Sequence, residues 1–407
     1  MKSIRFIHTA DLHLDSPFRG FSHIPSHLYE QVKESTFLAF EKIVDAAIER
    51  KVDFILIVGD LFDAEDRSIR AQIRLIKQLE RLDQVGIPAI ISYGNHDYIG
   101  IKDQYLTLPK NTFVFHHKVE VIEQIINGHH IHFYGFSYPK RHIYERKIEQ
   151  YVKKLGADFH IGLLHGQIEG GSTVHQPYAP FTKNELLEKD LDYWALGHIH
   201  QNSVIHSEPP IVYPGNIQGR HRKEHGKKSC YEVQLFESGE TKLTEIDTAI
   251  IRWENIKIDI QQDLSVTELY NRCKQIVIEL QEQMNSGLLL DIELHVKDDL
   301  VDSIRSFIDH GELLELLQDE FATMDSFIWV DQLMMIREGK FVKHNEFSRA
   351  LLELSKEFVE EEPFERATEP LTKHSSAARY MDVIETEERE NIVEAAREII
   401  VQKMNGR

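Results

Sequence analysis

Ile4-Arg5-Phe6-Ile7-His8-Thr9-Ala10-Asp11-Leu12-His13 and Phe54-Ile55-Leu56-Ile57-Val58-Gly59-Asp60-Leu61-Phe62-Asp63 share one plan: an apolar run that ends in metal-competent side chains. Residues 54–58 contain no polar position, as expected of a strand covered on both faces. Between the two runs, about residues 28–50 place Phe40, Ile43, Val44, Ala47 and Ile48 at helical spacing. A second helix is expected over about residues 68–82 and a strand over 88–92. This βαβαβ rhythm predicts an α/β layered core. Further strands are expected at 129–136, 160–164, 193–196 and 211–213, and residues 229–236 and 241–247 flank a hairpin turn. Residues 251–342 restart with a different strand and helix rhythm, that of a small α+β module. Residues 343–407 carry only helical signals and a charged linker around Glu360-Glu361-Glu362-Pro363.

Five motifs sit at or just after expected strand ends: Asp11-Leu12-His13, Gly59-Asp60-Leu61-Phe62-Asp63, Gly94-Asn95-His96-Asp97, Leu164-His165-Gly166 and Gly197-His198-Ile199-His200. In α/β sheets, ligands bind beyond the carboxyl ends of the strands, so the five are expected to converge. Asp11, His13, Asp60, Asn95, His165, His198 and His200 offer seven oxygen and nitrogen ligands and no sulfur. Seven is too many for one tetrahedral zinc and suits two divalent ions that share a bridging carboxylate. Extended backbone would point Asp11 with His13, and His198 with His200, the same way. The glycines at 59, 94 and 197 would allow tight turns beside the ions. Each motif alone is weak; the five in this order are specific.

The set resembles the calcineurin-like metallophosphoesterase superfamily. His8-Thr9-Ala10-Asp11-Leu12-His13-Leu14 and Gly59-Asp60-Leu61-Phe62-Asp63 look most similar to its DNA-repair exonuclease branch, the SbcD-like nucleases. The resemblance is specific over residues 1–250, looser over 251–342 and looser still beyond. It implies an α/β fold: a layered β-sandwich metallophosphoesterase core flanked by helices (1–250), a small α+β capping domain (251–342) and a helical C-terminal tail (343–407). It implies one metal on Asp11, His13, Asp60 and His200, and a second on Asp60, Asn95, His165 and His198. The family commonly uses Mn2+, and the ligands would also accept Mg2+, Fe2+ or Zn2+. His96 matches the catalytic histidine, and Asp97 the carboxylate expected to orient it. Asp63 stands where some branch members carry a second histidine, which leaves a catalytic or a structural role open. Leu14-Asp15-Ser16-Pro17-Phe18 departs from the His-Leu-Gly of typical members, which bears on the rim of the site and on specificity.

Composition bounds the rest. The chain has 407 residues, 42% apolar and 9% aromatic, and reads as two or three globular domains. Net charge is −20, of which residues 1–250 hold −4 (29 basic, 33 acidic) and residues 251–407 hold −16 (18 basic, 34 acidic). That argues against a general nucleic-acid coat but leaves the N-terminal site open to an anionic substrate once bound cations offset its carboxylates. Nineteen of the 23 histidines fall within residues 1–225. Two cysteines, Cys230 and Cys273, exclude a disulfide framework or a Cys-rich zinc site. No apolar run nears the roughly 18 residues of a membrane span, and the opening residues lack a signal-peptide pattern, so a cytoplasmic location is expected.

Residues 220–228 are the most basic stretch, and Arg220, Arg222, Lys227 and Lys228 are candidate DNA phosphate contacts. By resemblance the partners are DNA, an SbcC-like coiled-coil ATPase docking on residues 343–407 (with a helix over 382–404), and a second copy through the N-terminal helices. The expected function is a metal-dependent DNA nuclease, an exonuclease in DNA repair. One alternative is a phosphodiesterase on nucleotides or other small phosphodiesters. Another is a non-catalytic scaffold that retains a metal site, against which the intact ligand set argues.

Overall fold

The computed structural model describes residues 2–18, 24–63, 68–98, 107–169, 178–261, 264–284, 286–296, 300–322, 324, 326–337 and 346–372, with scattered positions from 389 to 400. It divides into two compact units, Met1–Ile336 and Arg337–Arg407.

The first unit is built on two six-stranded sheets. In one, β1 (Ser3–Ala10), β2 (Phe54–Val58), β3 (Ala89–Ser92) and β4 (Thr112–Val114) run parallel, while β11 (Ser229–Phe236) and β12 (Thr241–Asp247) continue antiparallel from the other edge of β1. The other has the order β5 (Glu120–Ile126), β6 (His129–Gly135), β7 (Phe159–His165), β8 (Tyr193–Gly197), β10 (Pro210–Tyr213), β9 (Ser203–Ser207).

β2 shows why the sheets stack. Its side chains alternate between faces. Phe54, Leu56 and Val58 enter the core between the sheets with Phe6, Ile90, Phe133, Ile161 and Tyr193. Ile55 and Ile57 face the opposite side, with Phe40, Ile43 and Val44 of α1 (Ser26–Glu49) and Leu75 and Leu79 of α2 (Ile69–Gln84). Phe6 and Phe54 stack with ring centroids 4.8 Å apart. Each such fully buried aromatic contributes ~1.5–3 kcal/mol. Ser68 caps α2 by accepting the Ala71 N–H at 3.0 Å. The outer face of the second sheet is covered partly by α3 (Lys183–Glu188), where Trp194 donates its indole N–H to the Leu186 carbonyl at 3.1 Å. The carboxyl ends of β1, β2, β3, β7 and β8 carry the five motifs.

Residues 251–336 add a three-stranded sheet, β13 (Ile251–Ile260), β14 (Gly287–Val296) and β15 (Ile328–Arg337), with α4 (Val266–Glu282), α5 (Asp302–Asp309) and α6 (Glu312–Ala322). Alternation again decides its packing. Leu288, Leu290, Ile292 and Leu294 join the core with α4, α5 and α6. Trp253, Leu289 and Trp329 pack on Phe18, Ile24, Leu28 and Val32 around the start of α1.

Several elements differ from expectation. β4, β5 and β9 lie at sheet edges and carry few fully buried residues, which blurs their pattern; Ile125 on β5 is 66% exposed. The helical run expected over 298–317 is two helices, broken at Gly311, where φ is 80°. The second unit contains α7 (Glu346–Glu357) and α8 (Glu361–Thr372). The expected linker at 360–363 is instead the first turn of α8, where Pro363 needs no N–H because no intrahelical acceptor is available there. The helix expected over 382–404 falls largely outside the described residues. Among the described residues no helix is long and apolar enough to cross a membrane.

Candidate metal centre

The motif turns are not extended. Asp11, His13, Asp60 and His198 have φ of 50°, 43°, 50° and 99°. The expected side-by-side placement of Asp11 and His13 on straight strand is therefore corrected: both sit in the left-handed region, which costs a non-glycine residue about 1–3 kcal/mol. Cross-strand bonds hold the turns there. Asp11 N–H donates to the Gly59 carbonyl (3.1 Å), His13 to Asp60 (2.9 Å) and Leu14 to Leu61 (2.9 Å). Two glycines permit the approach of the sheets. A Cβ at Gly59, where φ is 78°, would strike the His165 ring, and one at Gly197 would strike the Val58 carbonyl.

The structure brings the seven expected ligands into two adjoining groups. In the first, Asp11, His13 and His200 offer ligand atoms within 4.8 Å of one another. The Asp63 carboxylate stands 3.0 Å from His13 Nδ1, and the Glu224 carboxylate 2.5 Å from His200 Nδ1. A proton on Nδ1 of each ring would face its carboxylate. The two Nε2 lone pairs would then face each other, with the atoms 3.1 Å apart. His13 and His200, with Asp11, would hold a shared cation, whose positive charge would relieve that opposition.

In the second group, Asp60, His165 and His198 also lie within 4.8 Å. His165 Nδ1 faces the Val58 carbonyl at 3.1 Å, which turns Nε2 toward Asn95 Oδ1 (3.0 Å) and Asp60 Oδ2 (3.4 Å). His198 Nδ1 is 3.2 Å from the same Asn95 oxygen. Asp60 also reaches toward the first group, 3.9 Å from His13 Nε2. The donor set thus fits two divalent ions beside Asp60, all through nitrogen and oxygen.

Electrostatics agree with that fit. Burial, reinforced by Arg220, pushes His13 down to about 3, so its imidazole is neutral and able to ligate. Burial does the same to His198. Burial also opposes charge on His165, yet Asp60, with help from Asp11, pushes it up to about 9. The pocket therefore draws positive charge, which a metal ion would supply.

Comparison with known proteins settles the lineage. The family model of calcineurin-like phosphoesterases matches residues 4–202. The metallophosphoesterase YhaO of Bacillus subtilis is 34% identical over 410 residues, covering 99% of this chain and 98% of that protein. The chain belongs to the calcineurin-like phosphoesterase family. More distant similarity reaches the DNA double-strand break repair protein Mre11 of Sulfurisphaera tokodaii, 23% identical over 70% of this chain and 71% of that protein. Mre11 of Saccharolobus solfataricus is 33% identical over 48% of this chain and 49% of its own.

This calcineurin-like phosphoesterase is accordingly a metal-dependent phosphoester hydrolase by family, and its other candidate residues divide by position. His96 stands at the centre: its N–H donates to Asp60 Oδ1 (2.9 Å), its Nδ1 faces the Asp63 carbonyl (2.9 Å), and its ring packs edge-on against His13. Asp97 does not have the expected place beside the His96 imidazole. Its carboxylate accepts the N–H of Leu61 (2.6 Å) and of Gly94 (2.7 Å), tying the β2 and β3 turns together. Asp63 supports His13 through its carboxylate and His96 through its carbonyl, and its carboxylate also forms a third group of potential metal ligands with His13 and His96.

The basic stretch is corrected most. Arg220 turns inward to pair with Asp63 and lies 3.4 Å from His200 Nδ1. Arg222 pairs with Asp331 of β15 at 3.1 Å. Lys228 is only 6% exposed, and burial lowers its pKa. Lys227 alone of the four is solvent-exposed without a charge partner given by the structure. Sequence analysis passed over Glu224, one acid among basic neighbours; the close pairing of its environment with His200 is visible only in three dimensions. It also passed over Tyr138, whose hydroxyl donates to the His165 carbonyl at 2.8 Å, and Tyr178, whose ring lies 5.2 Å from that of His198.

Proposed function

We propose that this phosphoesterase is a Mn2+-dependent DNA nuclease, acting as an exonuclease, that works in DNA repair with an SbcC-like coiled-coil ATPase. The placement of His96 carries the proposal. With Nδ1 bonded to the Asp63 carbonyl, its Nε2 is the atom left to meet a phosphodiester held at the centre. Two bound divalent ions would neutralise the scissile phosphate and activate a water. His96 would then stabilise or protonate the leaving oxygen, while Asp63 and Asp60 keep its ring and backbone in place. The DNA-repair names of the Mre11 relatives support nucleic acid as the substrate.

The decisive experiment is cleavage of end-labelled linear DNA by the purified chain with MnCl2, beside His96→Ala and beside a small phosphodiester. Shortening from the ends, lost in the variant, supports the proposal. Hydrolysis of the small ester with intact DNA rejects it. For the ATPase, the docking segment proposed is 343–407, and a chain lacking it should no longer co-purify with the co-expressed ATPase. A homodimer through α1 and α2 would appear as twice the chain mass in sedimentation.

A further inference from the structure

One loop serves both imidazoles of the first metal group. Glu224, 8% exposed, uses Oε1 on His200 and Oε2 to accept the Asn216 side-chain amide (2.9 Å) and the Arg220 N–H (2.8 Å). Arg220 pairs with Asp63, which in turn stands against His13 Nδ1. The second metal group is supported differently. His165 leans on the Val58 carbonyl of β2, within the rigid sandwich.

The far side of the same loop is fastened to residues 250–336. The buried amide of Gln218 donates to the Ile251 carbonyl (2.5 Å) and accepts the Ile250 N–H (2.9 Å), as a neighbouring strand would. Gly226 N–H donates to the Trp253 carbonyl (2.8 Å), and Arg222 reaches Asp331.

We propose that Glu224 and Arg220 are positioning residues for the ion held by Asp11, His13 and His200, and that the loop carrying them makes the affinity of that ion depend on how the 251–336 module is seated. The ion on Asp60, Asn95, His165 and His198 lacks this dependence. The two sites therefore differ in kind: one is set by the sandwich alone, the other by sandwich and module together. A partner that shifts the module would empty or fill one metal position while leaving the other loaded. The inference rests on the two-ion centre proposed above, not on the identity of its substrate.

The test is titration of the metal-free full-length chain with MnCl2, free Mn2+ being read by electron paramagnetic resonance. The wild-type chain should show two binding events. Glu224→Gln should weaken one event by about 10–100-fold, the size typical of a lost carboxylate partner behind a ligating histidine, and leave the other unchanged. Glu224→Asp should recover part of the loss. Arg222→Ala, which removes the loop's ion pair with the buried Asp331, should weaken the same event. Equal weakening of both events, no change in either variant, or a single event in the wild type would overturn the inference. Should Glu224→Gln melt early in the metal-free state, Arg222→Ala carries the test alone, and unchanged affinities there overturn the coupling. Absence of DNA cleavage with two normal binding events would reject the nuclease and leave this inference intact.

Discussion

His165 Nδ1 meets the carbonyl of Val58 at 3.1 Å, joining β7 of one sheet to the end of β2 in the other. This bond fixes the tautomer of a ligand from across the sandwich, and Gly59 makes room for it. Gly59→Ala should therefore do two things. The left-handed φ should cost about 1–2 kcal/mol of stability, and the new methyl should push the His165 ring aside. Thermal melting of the metal-free chain reads the first effect. Loss of the Mn2+ binding event that survives Glu224→Gln reads the second.

His96→Ala removes a ring that is bonded to the Asp63 carbonyl and packs edge-on against His13. It should lower turnover by about 10²–10⁴-fold, the usual contribution of a general acid, with both Mn2+ affinities kept. Turnover equal to wild type would remove His96 from the chemistry.

Arg220 and Lys227 separate two roles that one basic stretch suggests. Arg220 is committed to Asp63, so Arg220→Ala should lower activity without altering the salt dependence of DNA binding. Lys227 is exposed, and Lys227→Ala should make the log–log salt slope shallower by about one while turnover at saturation stays the same. Electrophoretic mobility shifts across a salt series check both.

Asp291 on β14 supplies a pH dependence. Burial, with Arg222 opposing and Asp331 and Glu293 reinforcing, pushes its carboxyl from 3.8 up to about 6. The folded chain thus holds this proton more tightly than the unfolded chain. The native state is penalised above pH 6, and the penalty fades as pH falls toward about 4. Asp291→Asn should raise stability at pH 7 by about 1–2 kcal/mol, allowing for solvent screening, and change little at pH 4. Urea melts at the two pH values decide it.

The clustering of the seven candidate ligands was legible because each lies in a short local motif at a strand end, and the layering was legible because β2 has no polar position. Glu224 was not legible: its burial is decided by His200, 24 positions earlier, and nothing in a run of Arg, His and Lys announces it. Asp97 was misassigned for a related reason. Adjacency to His96 in sequence suggested a contact, but the carboxylate turns toward two backbone N–H groups instead. Positive φ at Asp11 and His13 was hidden because only glycine advertises that region.

The place of β1 in its sheet has a consequence during synthesis. It is made before its neighbours in the sheet, and it pairs on one side with β11, which begins at Ser229. At ~5–20 residues per second, about 220 residues take ~10–45 s to make. For that interval a hydrophobic strand waits on the ribosome with one edge unpaired, and His200 and Glu224 are among the last parts of the centre to arrive. A nascent chain halted before residue 229 would be a target for chaperones, not a partial enzyme.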